Sequence, residues 1–327
     1  MTPHPVGIVG LGEYLPPKVL TNKDLEKMVD TTDEWITTRT GIKERRIISD
    51  GMLTSDLGKL ASAEALKEAG LRPEEVELLI VATISPDMPF PATSCIVQEK
   101  LGAKNAAAFD IAAACSGFVH ALTVAKQFIA SGTYKNALVV GAEALSTLVD
   151  WKDRNTCVLF GDGAGACVLA PVAEGGILTT YLGSDGQYSD LLMIPGGGSR
   201  HPTSSKTIEQ GLHSIKMNGG EVFKQAVRLM SDAVEKVLAD CHLSVNDVAC
   251  LIPHQANMRI LQAIAERLRF PIEKVYLNLD RYGNMSSAST ATALCEAVRE
   301  GKIKKGDIVV LVAFGSGLAW GSCVIRW

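Results

Sequence analysis

The chain has 327 residues, with 32 Lys and Arg against 36 Asp and Glu, which gives a formal net charge of −4. This balance excludes a broadly basic nucleic-acid-binding protein, and the length suits about two domains with a substantial core. The eight cysteines lie mostly in apolar runs without a CxxC pair, a pattern typical of reduced and largely buried thiols. The N-terminus shows no signal-peptide pattern, so we expect a cytoplasmic protein without nucleic-acid or membrane partners.

Strand-like and helix-like runs alternate through the first half of the chain, which predicts a mostly parallel sheet covered by helices. The predicted strands cover residues 6–10, 76–83, 106–111 and 136–141, and the predicted helices cover 55–70, 92–101 and 118–129. The glycine-rich run 157–169 fits the loose GxGxxA spacing of a dinucleotide site, but a second strand-like run follows it instead of a helix. We therefore interpret this run as a bend between two strands.

The second half of the chain repeats the order of the first. The strand–loop–helix succession of residues 78–122 returns in residues 250–298, and two short motifs also correspond, namely Phe160-Gly161-Asp162-Gly163 and Phe314-Gly315-Ser316-Gly317. We interpret this as an internal duplication of a βαβ-rich unit, with halves at residues 1–172 and 173–327. The uncharged run 308–325 contains glycines and serines that favour two strands around a bend over a membrane helix.

Three residues with chemically useful side chains, Cys115, His254 and Asn284, each come after a predicted strand. These strands are predicted over residues 106–111, 250–253 and 275–279. Since open α/β sheets place ligands at the carboxyl ends of their strands, the three side chains are expected to meet in one cleft. Cys115 also precedes a predicted helix, whose free N–H groups would favour its thiolate.

These three side chains suit thioester chemistry. A thiolate can attack an acyl thioester, while His and Asn can donate hydrogen bonds to an enolate. Taken separately, each residue also fits a structural role, as a buried cysteine, an ordinary histidine or a turn asparagine.

A tryptophan and several basic residues form the densest cationic stretch of the first half. Trp35 and Arg39 are four residues apart, so on the predicted helix they share a face, and Lys43, Arg45 and Arg46 follow them. A flat aromatic ring beside cations can hold the base and phosphates of a nucleotide. The same pattern also fits a half-buried tryptophan with solvated basic neighbours.

Motifs distributed over nearly the whole chain carry a family resemblance. They are Asp33-Glu34-Trp35-Ile36 with Arg39-Thr40-Gly41-Ile42, Ala113-Ala114-Cys115-Ser116-Gly117, Leu159-Phe160-Gly161-Asp162-Gly163-Ala164-Gly165, Pro253-His254-Gln255-Ala256-Asn257, Tyr282-Gly283-Asn284 and Trp320-Gly321-Ser322. Together they make the sequence similar to β-ketoacyl-acyl-carrier-protein synthase III, the initiating condensing enzyme family of bacterial fatty-acid synthesis. The Cys-His-Asn combination separates this family from elongating synthases, thiolases and hydroxymethylglutaryl-CoA synthases. Plant-type chalcone synthases share the combination but are longer and have different flanking sequences.

The resemblance implies a thiolase-like α/β fold, in which duplicated halves form five layers in the order α-β-α-β-α, and a homodimer. It implies an acyltransferase that condenses an acetyl-CoA primer with malonyl-acyl carrier protein through an acyl-cysteine intermediate. The acyl-CoA is a substrate in this chemistry, and no cofactor or metal is expected. A synthase-III-like acyltransferase or starter enzyme of secondary metabolism stays an alternative, as does a non-catalytic dimeric scaffold or carrier-protein binder in which Cys115 is inert.

The same resemblance assigns roles to individual residues of this chain. Catalysis falls to Cys115, His254 and Asn284. The backbone N–H groups of Cys115 and Ser316 would form the oxyanion hole, although the family usually has glycine at the latter position. The remaining assignments are Trp35, Arg39 and Arg154 for the CoA nucleotide, Phe223 and Asn257 for the pantetheine tunnel, Lys224, Gln255 and Arg259 for the carrier protein, and Phe90 for the acyl pocket of the partner subunit.

Overall fold

The predicted alternation of strands and helices is largely present in the computed structural model, which describes residues 5–327. The first half of the chain forms β1 (Val6–Tyr14), β2 (Lys18–Thr21), α1 (Asn22–Leu25), α2 (Asp33–Thr40), β3 (Glu44–Ile47), α3 (Thr54–Ala69), β4 (Leu78–Ala82), α4 (Thr93–Leu101), β5 (Ala107–Ile111), α5 (Gly117–Ala130), β6 (Ala137–Ala144) and β7 (Asp162–Pro171). The second half forms β8 (Gly176–Ser184), β9 (Leu192–Met193), α6 (Ser205–Glu209), β10 (Lys216–Met217), α7 (Gly219–Asp240), β11 (Val248–Pro253), α8 (Met258–Leu268), α9 (Leu279–Tyr282), α10 (Ser287–Arg299), β12 (Ile308–Gly315) and β13 (Ala319–Arg326). The predicted helices that became α3, α4 and α5 are therefore confirmed.

Two mixed sheets have the same strand order. The first runs β1-β7-β6-β4-β5, and the second runs β8-β13-β12-β11. β4 lies parallel to β5 and β6, and β11 lies parallel to β12, whereas β7 and β13 are antiparallel to both of their neighbours. Beyond β11, Val275 makes a parallel bridge to Leu251, in the place that β5 has in the first sheet. This shared order confirms the duplicated fold, while the boundary between residues 172 and 173 stays a prediction.

The strand predicted over residues 275–279 is wrong beyond its first residues. Tyr276 N donates to Leu251 O at 2.9 Å, and the chain then leaves the sheet. The buried side chain of Gln255 takes the next backbone groups: its Nε2 donates to Tyr276 O at 3.0 Å, and its Oε1 accepts from Asn278 N at 3.0 Å. The side-chain amide of Gln255 thus makes the hydrogen bonds that a neighbouring strand would otherwise make to residues 276 and 278.

The helices and sheets form five layers. α3 and α4 cover the outer face of the first sheet, α5 and α10 lie between the sheets, and α7 and α8 cover the outer face of the second sheet. The central α5 is apolar and buries Phe118 and Leu122, whereas α10 consists largely of Ala, Ser and Thr, which permit close approach of the sheet backbone. The predicted α-β-α-β-α arrangement is confirmed.

The glycine-rich run 157–169 is not a bend between two strands. Residues 157–159 form a turn, and Gly163 and Gly165 lie inside the single strand β7. A Cβ atom on Gly165 would lie 2.5 Å from the Cβ of Ala291 on α10, which is too close for any real contact. Gly165 therefore serves the packing of a central helix on a strand, and a Cβ atom on Gly163 would lie 2.7 Å from the sulfur of Met285. The prediction of a bend is wrong.

The uncharged run 308–325 forms the antiparallel pair β12 and β13, as predicted. Gly315 ends β12, and Ser316 lies in the bend that follows it. Among residues 5–327, no helix combines the length and the apolar character needed to cross a bilayer.

Candidate active site

Cys115 lies in a short 3-10 turn, residues 114–116, between the end of β5 and the start of α5. Its side chain is only 5% exposed. The end of β12 reaches the same turn, since a Cβ atom on Gly315 would lie 2.6 Å from the backbone N of Cys115. A residue with a side chain does not fit there without displacing the turn. A strand end of the second half thus meets the candidate nucleophile of the first half.

The thiol of Cys115 is protonated at neutral pH. Burial raises its pKa to about 12, an ionised Glu143 would act in the same direction, and the nearby Ser286 hydroxyl and the backbone N–H of Cys115 act against both. The position before α5 was predicted to favour the thiolate, but in the free protein the loss of hydration raises the pKa by more than the backbone N–H groups lower it. Attack on a substrate requires removal of the proton as the new S–C bond forms.

His254 follows β11 and is a neutral imidazole. Its backbone N donates to Val312 O of β12 at 2.8 Å, which extends the parallel pairing by one residue. The side chain is 2% exposed, and its Nδ1 has no hydrogen-bond partner among residues 5–327. Burial lowers the pKa of the ring to about 3. At neutral pH the ring therefore offers one N–H donor and one nitrogen acceptor.

Asn284 is fixed through both its backbone and its side chain. Its N–H donates to Leu159 O at 2.8 Å, and its carbonyl accepts from Gly161 N at 3.0 Å. Its Oδ1 accepts from the backbone N of Ser286 at 2.8 Å. Because a backbone N–H only donates, this bond identifies the side-chain oxygen and leaves the amide NH2 group as the free donor.

Two cavities meet at Cys115. The larger, about 300 Å³, has a mainly apolar lining that includes Ile84, Leu145, Phe160, Leu192, Ile194 and Ile215. The second, about 130 Å³, is lined by His254 and Asn284 and also by Phe223 and Asn257. The structure therefore brings Cys115, His254 and Asn284 together at one cavity, and a mainly apolar cavity also borders Cys115.

Trp35 lies on α2 with two arginines against its ring. The guanidinium carbons of Arg39 and Arg154 are each 5.0 Å from the ring centre, which is a cation–π distance. Arg154 also donates to the backbone carbonyl of Asp30 at 2.9 Å. The three residues predicted for nucleotide binding thus form one aromatic and cationic cluster at the surface.

The residues predicted to contact a carrier protein differ in exposure. Lys224 and Arg259 are exposed, and the Arg259 guanidinium lies 5.8 Å from the ring of Phe223, which lines the second cavity. Gln255 is completely buried, and its side-chain amide holds the backbone groups of Pro253, Tyr276 and Asn278. The prediction that Gln255 contacts the carrier protein is therefore wrong.

Comparison with known proteins identifies the family. The model for 3-oxoacyl-[acyl-carrier-protein] synthase III matches residues 109–186, and the model for its C-terminal part matches residues 238–327. Over 322 residues, the chain is 59% identical to the β-ketoacyl-[acyl-carrier-protein] synthase III of Caldanaerobacter subterraneus subsp. tengcongensis, which covers 98% of this chain and 97% of that protein. The chain belongs to the β-ketoacyl-[acyl-carrier-protein] synthase III family.

Solved structures of similar proteins agree with this membership. The 3-oxoacyl-[acyl-carrier-protein] synthase III from Aquifex aeolicus is 50% identical and matches with a TM-score of 0.91, covering 98% of this chain and 100% of that one. The priming β-ketosynthase of the R1128 polyketide biosynthetic pathway is 35% identical, with a TM-score of 0.92 over 99% of this chain and 96% of that one. This member of the synthase III family is a condensing enzyme of the acyltransferase class with the thiolase-like fold.

Two buried residues near Cys115 were not predicted from the sequence to belong to the site. Phe160 lines both cavities, and Glu143 is completely buried near the end of β6. A single carboxylate in the otherwise apolar run of β6 was the available signal for Glu143. Phe90 is 84% exposed and does not line either of these cavities in its own chain.

Proposed function

We propose that Cys115, His254 and Asn284 catalyse a two-stage condensation. Acetyl-CoA loads the enzyme, and malonyl-acyl carrier protein then supplies two carbons to give acetoacetyl-acyl carrier protein and CO2. The observation that carries this proposal is the meeting of two cavities at a buried thiol, with a neutral imidazole and a carboxamide donor at the same cavity. The synthase III membership supplies the substrates.

In the first stage, the sulfur of Cys115 attacks the thioester carbonyl of acetyl-CoA. The thiol proton passes to the acceptor nitrogen of His254 and from there to the departing CoA sulfur, so the products are acetyl-Cys115 and CoA. A neutral His254 suits this step, because an imidazolium has no lone pair to accept a proton. The backbone N–H groups of Cys115 and Ser316 hold the oxyanion in this proposal.

In the second stage, the thioester carbonyl of malonyl-acyl carrier protein accepts hydrogen bonds from His254 and from the amide NH2 of Asn284. The bond to the carboxylate breaks, CO2 leaves, and the bonding electrons form an enolate that these two donors stabilise. The enolate carbon attacks acetyl-Cys115, the C–S bond breaks, and the released thiolate regains a proton from solvent. Neither side chain has to remove a proton from the malonyl group.

The remaining predicted residues supply binding surfaces in this scheme. The apolar chamber of about 300 Å³ holds the short acyl group on Cys115, and Phe223 and Asn257 line the route of the pantetheine arm. The cluster of Trp35, Arg39 and Arg154 holds the CoA nucleotide, and the exposed Lys224 and Arg259 face the acidic carrier protein. We further propose a cytoplasmic homodimer in which Phe90 of the partner subunit closes the apolar chamber.

Radiolabelled acetyl-CoA tests the acyl-enzyme. We expect stoichiometric labelling of the wild type, none of Cys115→Ala, and full labelling of Cys95→Ala, because Cys95 is an exposed thiol that serves as the matched control. An unlabelled wild type, or equal labelling of Cys115→Ala, would contradict the enzymatic role and favour an inert carrier-protein binder.

Release of labelled CO2 from malonyl-acyl carrier protein tests the other two roles. We expect His254→Ala and Asn284→Ala to lose roughly 100-fold or more in decarboxylation while retaining part of the acyl transfer to Cys115, since only decarboxylation builds enolate charge. Wild-type condensation rates in both single variants would contradict the assignment.

A starter enzyme of secondary metabolism is the second candidate, because the R1128 priming β-ketosynthase has the same fold over nearly the whole chain. Malonyl-acyl carrier protein and malonyl-CoA, offered in parallel, separate the two functions: a preference for the free CoA ester would count against the fatty-acid role. The charge reversals Lys224→Glu and Arg259→Glu should raise the KM for the carrier protein. The control Lys104→Glu should not, since Lys104 is exposed near the amino end of β5, opposite to Cys115.

A further inference from the structure

Glu143 is a completely buried carboxyl group for which the proposed chemistry has no use. Its carboxyl accepts hydrogen bonds from groups of Thr83, Ile84, Ser85 and Ser287, and none of these groups is a cation. Burial raises the pKa of this carboxyl above its ordinary value. The hydrogen-bond donors and acceptors around its two oxygens indicate, independently of the pKa, whether the carboxyl carries a proton.

One carboxyl oxygen, Oε2, only accepts hydrogen bonds. The backbone N of Ile84 donates to it at 3.1 Å, and the hydroxyls of Thr83 and Ser85 lie 3.2 and 2.6 Å from it. Both hydroxyls already accept from backbone N–H groups, Thr83 Oγ1 from Ser85 N at 3.1 Å and Ser85 Oγ from Ala144 N at 2.8 Å. Their single hydrogens are therefore free to point at Oε2.

The other carboxyl oxygen, Oε1, accepts two long backbone contacts, from Ile84 N and Ser287 N at 3.4 Å each, and its shorter polar contact is to a hydroxyl oxygen whose hydrogen is already engaged. Ser287 Oγ lies 2.9 Å from Oε1 and 2.7 Å from the backbone carbonyl oxygen of Ala82. A carbonyl oxygen only accepts, so the one hydrogen of the Ser287 hydroxyl serves the shorter contact, to Ala82. The contact between Ser287 Oγ and Oε1 then becomes a hydrogen bond when Glu143 itself carries a proton on Oε1.

We propose that Glu143 is a positioning residue of the condensing centre. It is a neutral carboxylic acid that donates a hydrogen bond to Ser287 Oγ and thereby fixes the turn that carries Asn284. Ser287 is the first residue of α10, and Ser286, immediately before it, donates its N–H to Asn284 Oδ1 at 2.8 Å. Ser286 has a φ of 46°, so this turn is strained and needs external support. The inference rests on the proposed role of Asn284.

The neutral state also suits the neighbouring thiol. Cys115 is the titratable group that faces Glu143 across the centre, and an ionised Glu143 would raise the pKa of that thiol further by charge repulsion. A protonated Glu143 removes this effect while keeping the hydrogen bonds that join β4, β6 and α10. The two halves of the chain are thus tied together behind the catalytic residues without a buried charge.

Three variants test the proposal, with both stages of the reaction measured separately. Glu143→Gln keeps an acceptor for Ser85 and a donor for Ser287, so its acyl transfer and decarboxylation should stay within about threefold of the wild type, with the same pH profile. Glu143→Ala and Ser287→Ala should slow decarboxylation about tenfold with less effect on acyl transfer, since each removes the link to the Asn284 turn.

The matched control is Glu296→Gln. Glu296 is also buried, but Tyr276, Asn278, Arg281 and Tyr282 all donate to it, and Arg281 Nη2 lies 3.0 Å from its Oε2, so both of its oxygens are needed as acceptors. We therefore expect Glu296→Gln to lower the melting temperature of the protein and Glu143→Gln to leave it nearly unchanged.

Several results would overturn the proposal. A tenfold loss of decarboxylation in Glu143→Gln, or its failure to fold, would mean that a carboxylate is required. Wild-type decarboxylation in Ser287→Ala would mean that the link does not position Asn284, and this variant decides the question if Glu143→Ala does not fold.

An infrared difference spectrum of wild type minus Glu143→Gln reads the proton directly. We expect the C=O stretching band of a protonated carboxyl at pH 8, and a carboxylate band instead would refute the neutral state. If Asn284→Ala itself retains decarboxylation, the proposed function fails, and the infrared band still decides the protonation of Glu143.

Discussion

The close approach of β12 to the nucleophile allows a sharp test of the oxyanion geometry. In Gly315→Ala, the new Cβ atom would lie 2.6 Å from Cys115 N, 3.1 Å from the Cβ of Ala114 and 3.2 Å from the Cβ of Cys115. Ordinary contacts begin at 3.4 Å, so β12 and the turn that carries Cys115 must separate by about 0.8 Å, the difference between 3.4 and 2.6 Å. Neither side can yield by a simple side-chain rotation, because the atoms involved belong to the backbone or are Cβ atoms.

A displacement of this size is sufficient to impair catalysis without unfolding the protein. Misplacement of reacting groups by about 1 Å lowers rates by roughly 100-fold, and overpacking of a tight core lowers stability by about 1–3 kcal/mol. We therefore expect Gly315→Ala to fold, with a lower melting temperature, and to load the acetyl group of labelled acetyl-CoA onto Cys115 roughly 100-fold more slowly than the wild type.

The matched control is Gly186→Ala, because no heavy atom lies within 4 Å of a Cβ atom built on Gly186. This variant should load acetyl at the wild-type rate. Stopped-flow release of CoA measures loading, and thermal unfolding measures stability. If Gly315→Ala loads Cys115 as fast as Gly186→Ala does, the proposal that the contact of β12 with residues 114–116 fixes the oxyanion hole of Cys115 and Ser316 is refuted.

Three further predictions concern the buried groups of the centre. The folded protein keeps His254 neutral down to pH about 3, whereas the unfolded chain protonates it below 6.5, so between these values His254 should lower the free energy of unfolding by about 1.4 kcal/mol for each unit that the pH falls. Denaturant titrations at several pH values should show a smaller slope in His254→Gln and an unchanged slope in His242→Gln, since His242 is exposed. Equal pH dependence of the free energy of unfolding in wild type and His254→Gln would contradict this prediction. Alkylation of Cys115 by iodoacetamide should accelerate about tenfold per pH unit from pH 7 to 10 without a plateau, because burial raises its pKa to about 12, and a plateau below pH 9 would show a thiolate in the resting enzyme. Gln255→Ala should lower the free energy of unfolding by about 3 kcal/mol because it leaves buried backbone groups unpaired, with little change in the KM for the carrier protein; a large rise in that KM at unchanged stability would restore Gln255 to the docking surface.

Local sequence patterns were sufficient to predict the positions of the three catalytic candidates. Cys115 and His254 each follow a short apolar run, but β5 belongs to the first sheet and β11 to the second, so it is the contact between the two halves that brings these strand ends to one centre. Asn284 was predicted to follow a strand, yet the backbone reaches the centre by another route, through hydrogen bonds to Leu159 and Gly161. The location of Asn284 was therefore predicted correctly, although the strand predicted before it is largely absent.

Properties that depend on tertiary contacts could not be predicted from the sequence. The pKa of Cys115 is set by how completely the two halves bury it, which no local pattern reports. Gly163 and Gly165 resemble a bend because glycine is common in bends, and only the tertiary packing shows that Gly165 makes room for Ala291 and Gly163 for Met285. The burial of Gln255 likewise follows from the missing strand at residues 277–279, whose hydrogen bonds its side chain replaces.

The two cavities at Cys115 have a consequence for the order of events during turnover. They share Cys115, Phe160 and Leu192, while the acyl chamber and the chamber with His254 and Asn284 otherwise have separate linings. In the proposed scheme, the acyl group would therefore remain in the apolar cavity while CoA leaves, and the carrier arm would enter through the cavity with His254 and Asn284. Such a layout favours double-displacement kinetics, in which the two thioester substrates occupy one entrance in turn and each competes with the other at high concentration.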